Sequence, residues 1–233
     1  MNAAELRSND PSGDAVVPHT PSPVDTLIAL DAETAMLVRV AAVLAGGTEG
    51  EVRTLLTEAQ LDVRALWIEE VILQTYLFAG FPRALNGMRE WRRITGRPAP
   101  AIDLHAIDDH TAQQLRGAAT CAVVYGAWYD RLRDHIAALH PALDRWMIEE
   151  GYGKVLSRGA LDLGRRELCI VAACAISRQD RQLHAHLHGA LNAGVTAPVI
   201  AAALDVLAPM LHAEDHERYG ALWARVQGTP GTD

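Results

Sequence analysis

Apolar residues recur along the chain at spacings of three and four, and glycine, proline and short polar residues cut them into runs of helix length. Asp31 can cap a first helix to about Ala45, where Gly46 and Gly47 end it. Thr48 followed by Glu51 spells a capping box for a second, to about Gln60. A third runs from about Val63 to Ala79 through the apolar "WIEEVILQTYLFAG". Gly80 stops it, and Pro82 suits the first turn of a fourth, through about Arg93. "TGRPAPAID" (95–103) reads as a linker. One long helix is expected from about Asp109 to Leu139, a short one from Pro141, and a loop at "GYGKVLSRGA" (151–160). Asp162 caps a helix to about Ile176, and Ser177 caps another that ends at Gly194. Thr196 and Pro198 open one to about Leu211, and the last ends near Gln227. No stretch alternates with period two over strand length, so the expected fold class is all-α.

Composition narrows the function classes. The 233 residues are 49% hydrophobic and 21% charged, an ordinary globular balance, and only two are Phe. A net charge of −8 argues against nucleic acid and against an acidic membrane surface as partners. No apolar run reaches membrane-spanning length. Residues 1–24, rich in Pro, Ser and Asp, read as a disordered tail, and 228–233 as a second one. Cys121, Cys169 and Cys174 lie in apolar runs with no CxxC pair. They read as buried thiols in a reducing compartment, and the expected location is cytoplasmic.

An offset of 131 residues lays "ALDAETAMLVRVAAVLA" (29–45) over "ALDLGRRELCIVAACAI" (160–176), with helix ends falling at nearly the same places. That points to an internal duplication. "RQLHAHLHGALNAGVT" (181–196) carries three alternate histidines. Positions two apart on a helix differ by about 200°, so His186 points away from His184 and His188. His184 and His188 share a face and read as an exposed or subunit-facing stripe, with a shared Zn²⁺ as the rival reading and no metal site expected. His186 shares its face with Leu183, Gln182, Gln179 and Ala190, and reads either as a core histidine or as a polar handle in a pocket. Glu167, expected in the first turn of its helix, has a plain explanation in the macrodipole, and Glu69 and Glu70 one as early-helix acids.

Taken together, "GYGKVLSRGALDLGRREL", "RQLHAHLHGALNAGVT" and "EEVILQTYLFAGFPRALN" resemble the carboxymuconolactone decarboxylase family, relatives of the AhpD alkylhydroperoxidases. The resemblance covers about residues 28–226 and is divided. The C-terminal stretch keeps Glu167 and His186 but has "LAPMLHAEDHERYG" where the family's G-x-P would stand. The N-terminal stretch keeps "GFPRALN" but has Met36 and Leu55 at the positions matching Glu167 and His186. The expected organisation is therefore two tandem repeats in an AhpD-like helical fold. A degenerate repeat spans 25–95, a linker and long helix 96–139, and a second repeat 140–227.

The resemblance also carries chemistry. AhpD relatives use a CxxC pair, and the matching positions here are Gln179 and Gln182, which disfavours peroxidase chemistry because that needs a thiolate. The pattern left is that of a cofactor-independent lyase acting on a small carboxylated lactone or related acid. His186 would deliver the proton, Glu167 would orient it, and Arg158, Gln179, Gln182 and Phe81 would contact the substrate. Arg165 and Arg166 are further carboxylate-binding candidates. A second reading is a non-catalytic oligomeric scaffold or small-ligand-binding protein, and a third a lactone isomerase or hydrolase. The family resemblance implies a homo-oligomer, dimer or trimer.

Overall fold

Short polar side chains set the helix starts. Asp31 accepts a hydrogen bond from the Thr34 N–H and opens α1 (Ala32–Gly46), and Thr48 and Glu51 form a reciprocal capping box at α2 (Glu49–Asp62). The structure, a computed structural model, describes residues 27–106 and 109–228; the tail expected at 1–24 and residues 229–233 lie outside them. α3 (Ala65–Ala79) and α4 (Phe81–Thr95) meet at Gly80, whose φ of 86° suits glycine and strains other residues. Among the described residues the architecture is all-α, and the β pairing present is an isolated parallel bridge between Leu27 and Val195.

The long helix expected over 109–139 is broken. α5 (His110–Tyr125) stops at Gly126, φ 52°, a 3₁₀ turn covers Gly126–Trp128, and α6 follows (Tyr129–Leu139). The Asn192 side chain donates to the Val124 carbonyl at 2.8 Å, which satisfies a group that the break leaves open. The loop expected at 151–160 is also mostly helical. After α7 (Pro141–Trp146), Met147–Leu156 forms a π-helix. Contact explains it. A Cβ on Gly117 would collide with the Ile148 carbonyl, and one on Gly153 would lie 2.5 Å from the Gln113 carbonyl. These two glycines let α5 and the π-helix cross backbone to backbone, with Gln113 Nε2 donating to the Glu149 carbonyl at 2.7 Å. Composition alone suggested a glycine loop; close approach is what the glycines serve.

α8 (Leu163–Ile176), α9 (Asp180–Asn192), α10 (Ala197–Leu207) and α11 (Ala213–Gly228) complete the chain. Ser177, expected to cap α9, instead ends α8 through its N–H to the Ala173 carbonyl, and α9 starts after Gln179 with no side-chain cap. The turn between them is so short that Arg178 takes φ 53°, an unfavourable value for a non-glycine residue. Asp215, 2% exposed, holds Arg178 there with Nε donating at 2.9 Å.

α1 and α8 lie side by side and point the same way. Arg165 Nε donates to Thr34 Oγ1 near their starts, and Gly46 faces Ile176 near their ends. Their inner residues, among them Leu37, Val38, Leu168, Ile170 and Val171, are fully buried and form the middle of one continuous core. Each such side chain contributes about 1.5–3 kcal/mol through burial. α1, α2, α3 and α4 begin at 32, 49, 65 and 81, and α8, α9, α10 and α11 at 163, 180, 197 and 213, so the second set follows the first at a nearly constant offset.

Candidate functional site

Asp162 caps α8 through the Arg165 N–H, which places Glu167 in the second turn of the helix. The macrodipole acts mainly within the first turn, so the early-helix explanation for Glu167 fails. Its side chain is fully buried and meets the ring of His186, 4% exposed, with Oε2 accepting from Nδ1 at 2.8 Å. In the neutral ring this bond fixes the proton on Nδ1 and leaves Nε2 as the reactive nitrogen. Among the described residues Nε2 has no protein partner. The second carboxylate oxygen, Oε1, is buried and unpaired, an uncommon state for a polar atom.

Four elements surround this pair. From α3, Phe78 sets its ring edge-to-face on His186, centroids 5.6 Å apart. From α9, Gly189 lies so close that a Cβ there would be 2.6 Å from Glu167 Oε2 and 2.7 Å from Val124 Cγ1. Tyr125 of α5 and Tyr152 of the π-helix stack edge-on at 6.3 Å; burial above all pushes both phenols up, and the Glu167 charge adds to it in each. Cys121, Cys169 and Cys174 are free and buried, and burial pushes their thiols up to about 12, far from the thiolate range.

The other predicted positions separate from the dyad. Gln179 and Gln182 are exposed; the Gln179 amide donates to the Ser177 carbonyl at 3.4 Å. Their shared face with His186 turns outward at the start of α9. Phe81 is 63% exposed and lines a cavity together with Arg158, a cavity to which Glu167 and His186 do not contribute. His184 is exposed and His188 half-buried, their rings 4.9 Å apart; burial first, then His184, lowers the His188 pKa. No group of three or more His, Cys, Asp or Glu side chains that could hold a metal occurs among the described residues. Arg165 pairs with Asp31 and Asp162 at 2.8 Å each and its guanidinium lies over Trp67.

Sequence reasoning missed the ion network beside the dyad. α3 begins at Ala65, so Glu69 and Glu70 lie beyond its first turn and are not early-helix acids. Glu70 is 1% exposed; Oε2 accepts from Arg166 Nη2 at 2.7 Å and from Arg158 Nε at 2.9 Å. Burial raises the Glu70 pKa, but the hydrogen bonds and charges of Arg158 and Arg166 outweigh it and hold the carboxyl below its usual range. Arg166, fully buried, also donates to the Arg158 and Leu161 carbonyls, and Gln74 Nε2 donates to the Arg166 carbonyl at 3.0 Å. Glu69 serves a separate cluster, accepting from Trp91 at 3.1 Å and from both Arg92 terminal nitrogens. A signal was present: Glu70, Gln74 and Phe78 recur every four residues through an apolar helix, a polar-aromatic stripe on one face.

Comparison with known proteins adds two findings. Residues 141–225 match the sequence model of the carboxymuconolactone decarboxylase family, a span that holds both Glu167 and His186. Peroxisomal protein 2 of Schizosaccharomyces pombe is 28% identical over 140 residues, which cover 60% of this chain and 66% of that one. No helix among the described residues is long and apolar enough to cross a membrane. The segment that carries the Glu167–His186 pair, residues 141–225, belongs to the carboxymuconolactone decarboxylase family.

Proposed function

We propose that the chain is a cofactor-independent carboxy-lyase acting on a small carboxylated lactone or related acid, with His186 and Glu167 as its proton-transfer pair. The observation that carries this is the buried 2.8 Å contact with one free nitrogen and one orphaned carboxylate oxygen. When the substrate C–CO₂⁻ bond breaks, the electron pair delocalises into the adjacent carbonyl as CO₂ leaves. The protonated ring then gives its Nε2 proton to that carbon, and Glu167 Oε2 stabilises the charged ring from the other side. His186 regains a proton from solvent.

The same proposal takes the two helix sets as a tandem duplication assembled as a homo-oligomer, dimer or trimer, which light scattering reads directly. The experiment for the activity is CO₂ release from a panel of carboxylated lactones by the wild type and by His186→Ala and Glu167→Gln. A loss of about 10²–10⁴-fold in His186→Ala is expected if its ring transfers the proton. Turnover unchanged by that substitution sinks the assignment. One observation favours the second reading, a non-catalytic ligand-binding or scaffold protein: the cavity lined by Phe81 and Arg158 receives neither Glu167 nor His186. Under that reading no lactone of the panel releases CO₂ and both substitutions change stability alone.

A further inference from the structure

The cavity of about 670 Å³ away from the dyad has a construction of its own. It opens between the α3–α4 corner, the linker and the π-helix. One wall is apolar and partly exposed, with Tyr76 and Phe81 edge-to-face at 6.3 Å beside Leu85 and Met88. On the polar side stands Arg158, 8% exposed, whose guanidinium has two forks. The inner fork is taken by buried Glu70, to which Nε and Nη2 bond at 2.9 and 3.0 Å. The outer fork holds Asp103, with Nη1 donating to Oδ2 at 2.7 Å and Nη2 to Oδ1 at 2.9 Å.

Asp103 differs from Glu70 in kind. Its side chain is 49% exposed and it belongs to the linker, outside any helix, whereas Glu70 is fixed in the middle of α3. It is a carboxylate placed bidentately on a buried arginine at the edge of an apolar cavity, which is the geometry of a bound carboxylic acid. The surrounding charge also favours an anion. Glu70 is shared between Arg158 and Arg166, and Lys154 and Glu150 neutralise each other at 3.0 Å. Arg116 adds a further cation, hydrogen-bonded to Ser157 next to Arg158, and its Nη2 is buried with no partner.

We propose that this cavity is a second ligand site, for a small apolar monocarboxylate of aromatic or alicyclic type. Arg158 receives its carboxylate, Tyr76 and Phe81 contact its ring, and Asp103 occupies the carboxylate position until the ligand displaces it. The site is separate from the proton-transfer pair and stands whether or not that pair is catalytic.

The probe is 2-naphthoate, followed by its fluorescence and by calorimetry on the full chain at low salt, with neutral 2-naphthamide as its isostere. Wild type is expected to bind the acid in preference to the amide. Asp103→Ala removes a competing, half-exposed ion pair and is expected to tighten naphthoate by about fivefold while leaving the amide unchanged. Phe81→Ala, at an exposed position that does not threaten folding, weakens the acid. His186→Gln leaves it unchanged. Equal binding of acid and amide, no gain in Asp103→Ala, or no binding at all overturns the proposal, as does loss of naphthoate in His186→Gln, which would put the ligand at the dyad instead.

Discussion

Gly189→Ala is the sharpest test of how the Glu167–His186 pair is packed. The new methyl would arrive 2.6 Å from Glu167 Oε2 and 2.7 Å from Val124 Cγ1, both closer than real Cβ contacts come. Neither neighbour yields easily: Val124 is β-branched and 1% exposed, and Oε2 is held by His186. Overpacking of this kind costs about 1–3 kcal/mol. Against it stands a helix-propensity gain of about 1 kcal/mol for Gly to Ala, so the net is a loss of about 0–2 kcal/mol. Gly220 in α11 supplies the control. It is exposed with nothing within 4 Å of a Cβ, and Gly220→Ala should gain up to about 1 kcal/mol. Urea unfolding of both variants measures the difference, expected at about 1–3 kcal/mol with equal m-values. If Gly189→Ala proves as stable as Gly220→Ala, the carboxylate does not sit against α9 and the site geometry argued above is wrong.

Glu70→Gln should cost about 3–5 kcal/mol in urea unfolding, because it strips the carboxylate from two buried guanidiniums, Arg158 and Arg166. The same residue shapes the acid limb. A carboxyl held below its usual range in the folded chain contributes stability that is present above the unfolded value and lost as pH falls through the folded one. Wild type should therefore lose stability from about pH 5 downward, with a shallower slope in Glu70→Gln, as read by denaturation midpoints at a series of pH values. Gly117→Ala should lower stability by about 3 kcal/mol or more, because its methyl meets the backbone of Ile148 and Gly153 rather than a side chain that can move; thermal melting reads it.

The elements were legible wherever a local signal decides them. Asp31, Thr48 with Glu51, and Asp162 cap the helices that their spelling announced. The misreadings share one cause, which is that distant contacts chose among conformations the local sequence permits. Gly153 reads as part of a loop in isolation, yet it is small so that the α5 backbone can lie against it. Gly126 breaks a helix whose hydrophobic period runs on, and the carbonyl exposed near the break is answered by Asn192, 68 residues away. Ser177 has the right chemistry for an N-cap, but the three-residue turn and the Arg178–Asp215 pair place it at the end of α8.

Within the site, helical geometry set His186 apart from the other two histidines, and the family resemblance tied it to Glu167, 19 positions away. What the resemblance could not show is why the N-terminal stretch has "EEVILQTYLFAG" while Met36 and Leu55 stand 131 residues before Glu167 and His186. The contacts supply a reason. Glu70 binds Arg166 and Arg158, Gln74 binds the Arg166 carbonyl, and Phe78 covers the His186 ring, so one stripe of α3 serves the C-terminal helices. α10, which occupies the corresponding place after α9, presents Ala201 and Asp205 at the positions matching Glu70 and Gln74 and cannot do the same for α1. Glu167 is the immediate neighbour of Arg166, so the network that α3 completes also fixes the backbone from which the carboxylate reaches His186. α8 and α9 thus carry the Glu167–His186 contact, and one stripe of α3 braces it.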